Sequence, residues 1–246
     1  MITDNINSLK TVVCFGDSIT RALLVSASYI EPLEKRLGSR YRFVNLGVNN
    51  DLTYNLLRRM DDLVVEKPDI VFVLIGTNDV TFSMSLWGGL YVIPRKRLPR
   101  WPSLDWAYAN LRAIIRRIKD KTGAVVAVGS IPVLGEALKS APMQRVRRYN
   151  AQVMKIAQQE NAHYIPVFER MERYLRDEVD GSGRPFRGSV RLMLRLAARR
   201  IIFSESFETF SARQGFNLLT DGVHLNSIGA GLIADELENF LRAQPS

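Results

Sequence analysis

The stretch Phe15-Gly16-Asp17-Ser18-Ile19-Thr20 decides how the rest of the sequence is interpreted. It follows Thr11-Val12-Val13-Cys14, a β-branched apolar run that predicts a buried strand, and it precedes a segment with helical character. We therefore expect Ser18 on the turn between a strand end and a helix start, where ligands bind in open α/β sheets. These six residues alone leave two interpretations open. Ser18 is a nucleophile, or Asp17 or Ser18 only caps the helix.

Apolar segments and helical segments alternate along most of the chain. The further predicted strands are 41–47, 70–75, 124–128 and 162–168. Strands that alternate with helices indicate a parallel sheet, because a parallel return requires a crossover connection. The sequence therefore predicts a single α/β domain over residues 1–246, with three α/β/α layers and five parallel strands.

The composition is that of an ordinary globular protein. The chain has 246 residues, of which 46% are hydrophobic and 24% charged, enough for one substantial core. The single cysteine, Cys14, excludes an intramolecular disulfide and is expected to be a small core residue. No apolar run approaches the roughly 20 residues that span a bilayer, and Met1–Lys10 does not resemble a secretory leader. The predicted location is the cytoplasm.

The net charge of +9 favours contact with anionic partners. Arg184–Arg200 holds six arginines and no acidic residue, and on a helix Arg191, Arg195 and Arg199 would form one stripe. Two hypotheses follow. The segment rests on anionic lipid or an acidic partner, or it is a surface helix docked on its own domain. Nucleic-acid binding is not expected, because no zinc-finger spacing, RNP-like strand or basic zipper is present. The oligomeric state is left open.

Two segments interrupt the alternation of strands and helices. Residues 80–103 contain Trp87, Trp101, three prolines and four basic residues. We expect an irregular loop there that is a lid or pocket wall. The alternative is that the aromatic residues of this loop form a satellite core. Residues 169–214 are interpreted as a basic inserted segment.

The sequence Thr220-Asp221-Gly222-Val223-His224 supplies the groups that a serine nucleophile needs. The chain has only two histidines. His163 is expected mid-strand with a structural role. His224 follows Asp221 by three residues, so one short loop can present both side chains, with the carboxylate orienting the imidazole. Together with Ser18, they form a nucleophile, a base and an orienting group.

Four blocks in order resemble the SGNH, or GDSL-type, hydrolase family of esterases and lipases. They are Gly16–Ile19, Asn45–Asp51, Gly76–Asp79 and Asp221–His224. The resemblance implies a flavodoxin-like strand order, hydrolysis of a small-molecule ester, and chemistry without a cofactor or a metal.

The resemblance also assigns roles to individual residues. Ser18 would be the nucleophile, His224 the general base and Asp221 its orienting carboxylate. The oxyanion hole would consist of the Ser18 backbone N–H, a backbone N–H at Asn50 and the side-chain amide of Asn78. Asn50 departs from the family pattern, which usually has glycine there, although asparagine tolerates unusual turn dihedrals.

The expected activity is therefore ester hydrolysis through an acyl-Ser18 intermediate. Two other hypotheses use the same scaffold. One is an acyltransferase with the same three residues, and the other is a binding module or a protein of the membrane surface.

Overall fold

The computed structural model describes residues 9–179, 182–186 and 190–245. Predictions that depend on residues 1–8, 180–181 or 187–189 lie outside these ranges, among them the leader prediction and part of the basic segment 184–200. The described strands are β1 Lys10–Gly16, β2 Tyr41–Gly47, β3 Ile70–Leu74, β4 Val125–Gly129, β5 Gly135–Ala137, β6 His163–Ile165 and β7 Ser182–Pro185. The described helices are α1 Ser18–Arg21, α2 Ile30–Leu37, α3 Thr53–Arg58, α4 Met60–Val64, α5 Thr77–Phe82, α6 Leu86–Lys96, α7 Leu104–Thr122, α8 Ala141–Gln159, α9 Val167–Asp177, α10 Val190–Phe203, α11 Phe207–Gln214 and α12 Ser227–Arg242.

The central sheet has five strands in the order β2-β1-β3-β4-β6, and every pairing is parallel. This confirms the predicted parallel sheet and the flavodoxin-like order. All five residues of β3 are buried, as expected for an apolar strand that is covered by helices on both faces. Helix α7 covers the sheet with Leu111, Ile114, Ile115 and Ile118, all of them buried.

The sheet brings the carboxyl ends of neighbouring strands together. Gly16, the last residue of β1, is paired with Gly47 at the end of β2 and with Leu74 at the end of β3. Ser18 and Asn78 follow the ends of β1 and β3 within four residues, so both lie at this edge of the sheet. This is the edge at which open α/β sheets bind ligands.

The segment 80–103 is mostly helical, and the prediction of an irregular loop is wrong. Ser85 accepts a hydrogen bond from the Gly88 N–H at 2.9 Å and starts α6. Helix α6 includes Pro94, which has no N–H to bond to the preceding turn, and the helix ends two residues later at Lys96. A small separate core does form from Leu52, Val92 and Leu98. The aromatic residues expected in it are not part of it, because Trp87, Tyr91 and Trp101 are exposed. The lid or wall role of the segment stays a prediction.

The segment 169–214 contains α9, β7, α10 and α11. Strand β7 pairs antiparallel with β5 in a separate two-stranded sheet that the sequence analysis did not predict, because β5 has only three residues. Helix α10 is docked through the buried Leu196, and its Arg199 is ion-paired with Glu205. These contacts fit the surface-helix hypothesis, and the side chain of Arg191 lies outside the described part of the chain.

Among the described residues, no helix is both long and apolar enough to cross a bilayer.

Two glycines offer a test of how tightly the sheet edge is packed. A Cβ added at Gly47 would lie 2.2 Å from the backbone nitrogen of Arg21, whereas one added at Gly231 would meet nothing within 4 Å. We expect Gly47→Ala to lower the free energy of unfolding by about 1–3 kcal/mol through overpacking. Gly231→Ala should raise it by about 0.5–1 kcal/mol, because Gly231 lies inside α12. Urea denaturation measures both, and a Gly47→Ala protein as stable as the wild type would contradict the packing described.

Candidate active site

Ser18 is the first residue of α1 and follows β1 after a single residue. That residue, Asp17, is the helix cap, since its Oδ1 accepts a hydrogen bond from the Ile19 N–H at 3.0 Å. The capping interpretation is therefore correct for Asp17. It leaves the Ser18 hydroxyl free for another partner, and the Ser18 side chain lies in a buried position, 9% exposed.

That partner is His224, which is 206 residues away along the chain. The Nε2 atom of His224 lies 3.0 Å from Ser18 Oγ, and its Nδ1 atom lies 2.8 Å from Asp221 Oδ2. All three side chains are buried. The structure thus brings together the three residues that the sequence analysis selected, in the order hydroxyl, imidazole, carboxylate.

Residues 217–226, called here the Asp–His loop, present His224 and Asp221. The loop closes on itself through a bridge between Leu219 and Leu225 and a 2.7 Å hydrogen bond from the Thr220 N–H to the His224 carbonyl. Asp221 Oδ1 accepts the backbone N–H of His224 at 2.9 Å, while its Oδ2 faces the ring. One carboxylate therefore holds both the backbone and the side chain of the histidine.

The charges in this group shift its pKa values in opposite directions. Burial alone would lower the pKa of His224, but the charge of Asp221, their hydrogen bond and the charge of Asp17 outweigh it and raise that pKa. Burial alone would raise the pKa of Asp221, but the charge and hydrogen bonds of His224 and the Val223 N–H lower it. Asp221 is therefore a carboxylate that stabilises an imidazolium.

Asn78 lies in the first turn of α5 and is buried. Its Nδ2 donates to the Asp51 carbonyl at 3.0 Å and to Asp17 Oδ2 at 3.3 Å. Asp51 directly follows Asn50, and Asp17 directly precedes Ser18. Asn78 therefore ties together the two other segments that the sequence analysis assigned to the oxyanion hole.

Asn50 adopts a left-handed backbone conformation with φ of 59°. A positive φ favours glycine, which explains why the family pattern usually has glycine at this position. Asparagine is one of the few other residues that adopt such a φ. The following residue, Asp51, is held by Arg59 Nε at 2.7 Å and Lys96 Nζ at 2.8 Å. The turn is therefore anchored by two cations, one of which comes from α6.

Two buried carboxyl groups near the site were not selected from the sequence. Burial raises the pKa of Asp17 to about 7 and that of Asp79 to about 7. Asp79 accepts the Thr53 hydroxyl at 2.7 Å and the Thr53 N–H at 3.0 Å, which ties α5 to the start of α3. Asp17 lies in the block Gly16–Ile19 and Asp79 in the block Gly76–Asp79. Their position in these blocks could have identified them as site residues.

His163, the other histidine, lies at the start of β6 and is exposed. Its ring centroid is 5.0 Å from that of Phe240 in α12. The prediction of a mid-strand position is wrong, because His163 is the first residue of β6 and lies at the opposite end of the strand from the carboxyl edge of the sheet. Its structural role stays a prediction.

The sequence matches a known protein family over most of its length. The model of a family described as "GDSL-like Lipase/Acylhydrolase family" matches residues 14–232. A search of curated protein sequences finds no significant match.

Three solved structures share the fold at low sequence identity. The acetyl xylan esterase AlAXEase has a TM-score of 0.69 at 20% identity, over 94% of this chain and 99% of that one. Axe2, an acetylxylan esterase from Geobacillus stearothermophilus, has a TM-score of 0.64 at 19% identity, over 95% and 93%. The lipase/acylhydrolase from Enterococcus faecalis has a TM-score of 0.61 at 18% identity, over 97% and 99%.

The opposing contributions to the pKa of His224 can be separated by one substitution. In the wild type, we expect the imidazole of His224 to titrate above its ordinary pKa of 6.5, because Asp221 stabilises the cation. In Asp221→Asn that stabilisation is lost and burial remains, so the pKa should fall below the wild-type value. Histidine titration by NMR, with His224→Gln to assign the resonance, measures both. An unchanged pKa in Asp221→Asn would contradict the described pairing.

Proposed function

The chain belongs to the GDSL-like lipase/acylhydrolase family and is a carboxylic ester hydrolase, and on that premise we propose that it acts through an acyl intermediate on Ser18. In this proposal His224 is the general base and Asp221 orients it. The observation that carries the proposal is the continuous pair of hydrogen bonds from Ser18 Oγ to His224 Nε2 at 3.0 Å and from His224 Nδ1 to Asp221 Oδ2 at 2.8 Å. A serine hydroxyl is a poor nucleophile without such a base.

The first half of the reaction transfers the acyl group to the protein. His224 Nε2 takes the Ser18 proton while Ser18 Oγ bonds to the ester carbonyl carbon. The carbonyl oxygen becomes an oxyanion, and the imidazolium is stabilised by the Asp221 carboxylate. When the intermediate collapses, the bond to the alkoxy oxygen breaks and His224 returns the proton to the leaving alcohol.

The second half regenerates Ser18. His224 takes a proton from water, the resulting hydroxide attacks the acyl carbon, and Ser18 Oγ leaves and recovers its proton. The sum is one ester and one water converted to one acid and one alcohol. Acyl transfer would differ only in that a second alcohol replaces water, so product analysis distinguishes the two reactions.

Three donors are proposed to stabilise the oxyanion. The Ser18 backbone N–H lies in the first turn of α1, where N–H groups have no acceptor within the helix. The second donor is the Asn50 N–H, and the third is the Asn78 side chain. The contact of Asn78 with Asp17 is the longer of its two, at 3.3 Å, so donation to an oxyanion would replace that contact and keep the 3.0 Å bond to Asp51. Asn78 would thus remain anchored while it donates.

The substrates to test first are small-molecule esters with short acyl groups. Two of the three structural relatives described above are acetyl xylan esterases. We therefore extend the proposal to acetyl esters, with acetylated sugars and p-nitrophenyl acetate compared with longer acyl chains in one panel.

The acyl-serine step is tested by Ser18→Ala. We expect hydrolysis of p-nitrophenyl acetate to fall by about 10⁴-fold or more, because the nucleophile is lost while binding and the oxyanion donors remain. A fluorophosphonate should label the wild type at Ser18, as located by peptide mass spectrometry, and should leave Ser18→Ala unlabelled.

The matched control is Ser103→Ala, which removes the hydroxyl that caps α7 by accepting the Trp106 N–H. It should cost about 1 kcal/mol of stability and leave turnover unchanged. Wild-type turnover in Ser18→Ala would rule out the acyl-Ser18 mechanism.

The proposed oxyanion hole predicts different outcomes for its two asparagines. Asn78→Ala removes a side-chain donor, so kcat should fall by about 10²–10³-fold. Asn50→Gly keeps the backbone N–H and removes a side chain from a left-handed position, so kcat should stay within about threefold of the wild type and stability should not fall. Steady-state kinetics on short-chain esters measures both. Equal losses in the two variants would show that the Asn50 side chain, and not only its backbone, contributes.

A further inference from the structure

Glu136, the middle residue of β5, is fully buried, and its carboxylate binds the start of the Asp–His loop. Its Oε1 accepts the backbone N–H groups of Leu218 and Leu219 at 2.8 and 3.0 Å. Its Oε2 accepts the backbone N–H of Asn217 at 2.8 Å and the side-chain amide of the same residue at 3.0 Å. Three consecutive residues of the loop therefore converge on one side chain.

The buried Glu136 carboxylate needs these hydrogen bonds in order to be stable. Burial of a charge is unfavourable unless hydrogen bonds replace the lost water. Here the replacement comes from successive N–H groups of residues 217–219, an arrangement that suits an anion. Loss of the carboxylate would leave these buried donors without an acceptor, which is more costly than loss of an exposed hydrogen bond. Glu136 therefore supplies the acceptor for the N–H groups of this stretch, while Asn226 donates to the carbonyls of Leu218 and Asn217 at 2.9 and 2.8 Å.

The same short sheet also contacts the tip of the Asp–His loop. The N–H of Gly135, which precedes Glu136, donates to the carbonyl of Gly222 at 2.8 Å. A Cβ built on Gly222 would lie 3.6 Å from the ring of Phe186, which follows β7, and 3.6 Å from that of Phe216. The loop is thus held at its base by a carboxylate and at its tip by a backbone hydrogen bond.

We propose that Glu136 is a positioning residue for ester hydrolysis, which holds residues 217–219 so that Asp221 and His224 keep their alignment with Ser18. Glu136 acts through the loop backbone and does not touch the reacting atoms. The inference rests on the function proposed above. Displacements near 1 Å between reacting groups can cost about 10²-fold in rate, so a loosened base of the loop should be visible in kcat.

Two substitutions at Glu136 grade the effect. Glu136→Gln keeps the shape but replaces one acceptor oxygen by an NH₂ group that faces donors, and Glu136→Ala removes both acceptors. We expect kcat to fall about 10-fold in Glu136→Gln and about 100-fold in Glu136→Ala. KM should stay within about twofold of the wild type, because substrate binding is not the interaction removed. Fluorophosphonate labelling of Ser18 should slow in the same order, and the NMR titration of His224 should shift toward its Asp221→Asn value.

The matched control is Glu169→Gln. Glu169 accepts the Ser130 hydroxyl at 3.0 Å and the Tyr164 hydroxyl at 2.7 Å, beside the far strand of the sheet. This variant also disturbs a hydrogen-bonded carboxylate but does not contact the Asp–His loop. It should lower the thermal midpoint and leave kcat and the His224 titration unchanged.

Three results would overturn the inference: folded Glu136 variants with wild-type kcat, a loss of kcat no larger than in Glu169→Gln, or an unchanged His224 titration. If neither Glu136 variant folds, Asn217→Ala replaces them, since it removes one donor and leaves the carboxylate. It should then lower kcat by about 2–5-fold with KM unchanged, and an unchanged kcat would overturn the inference. Failure of the proposed function is a separate result, because it would appear as activity in Ser18→Ala.

Discussion

The contact between Ser18 Oγ and His224 Nε2 joins two groups that are 206 residues apart. Both side chains are buried, so the distance between them depends on where the backbone places each residue. Ser18 is placed by the end of β1 and by the Asp17 cap. His224 is placed by a loop outside the parallel sheet, so its alignment depends on what holds that loop.

The buried carboxyl groups around the site fall into two kinds. Asp51 is paired with the cations of Arg59 and Lys96, and Asp221 with the imidazole of His224. Asp17 and Asp79 accept hydrogen bonds from neutral donors, and burial raises their pKa values to about 7. The carboxylates that have a basic partner are therefore Asp221, behind His224, and Asp51, in the turn of the block Asn45–Asp51. Next to the serine, the carboxyl of Asp17 can be neutral near pH 7.

The segment 80–103 and the small sheet formed by β5 and β7 both reach the site. Of the two strands in this sheet, only β7 belongs to the segment 169–214. Helix α6 supplies Lys96, which binds Asp51 beside the left-handed Asn50. The small sheet formed by β5 and β7 contacts the Asp–His loop through Gly135 and Glu136. These parts of the chain are therefore more than additions to a standard domain, because they contact the loops on which the chemistry is proposed to occur.

The five parallel strands, the family and the candidate residues Ser18, Asp221 and His224 could be inferred from the sequence alone. These conclusions rest on local information, since apolar runs identify buried strands and short blocks keep their residue types at the strand ends. Local information also misled. Prolines and glycines in 80–103 suggested a loop, yet the Ser85 cap and the inward-facing Val92 make a helix there.

The distances within the site and the contacts of Glu136, from which its positioning role is proposed, could not be predicted before the tertiary structure was known. Its donors lie 81 to 83 residues away, and a glutamate in a three-residue strand carries no pattern of its own. A contact of this kind depends on how two distant segments pack. Packing buries the carboxylate, and a buried polar group is stable only when hydrogen-bond partners surround it.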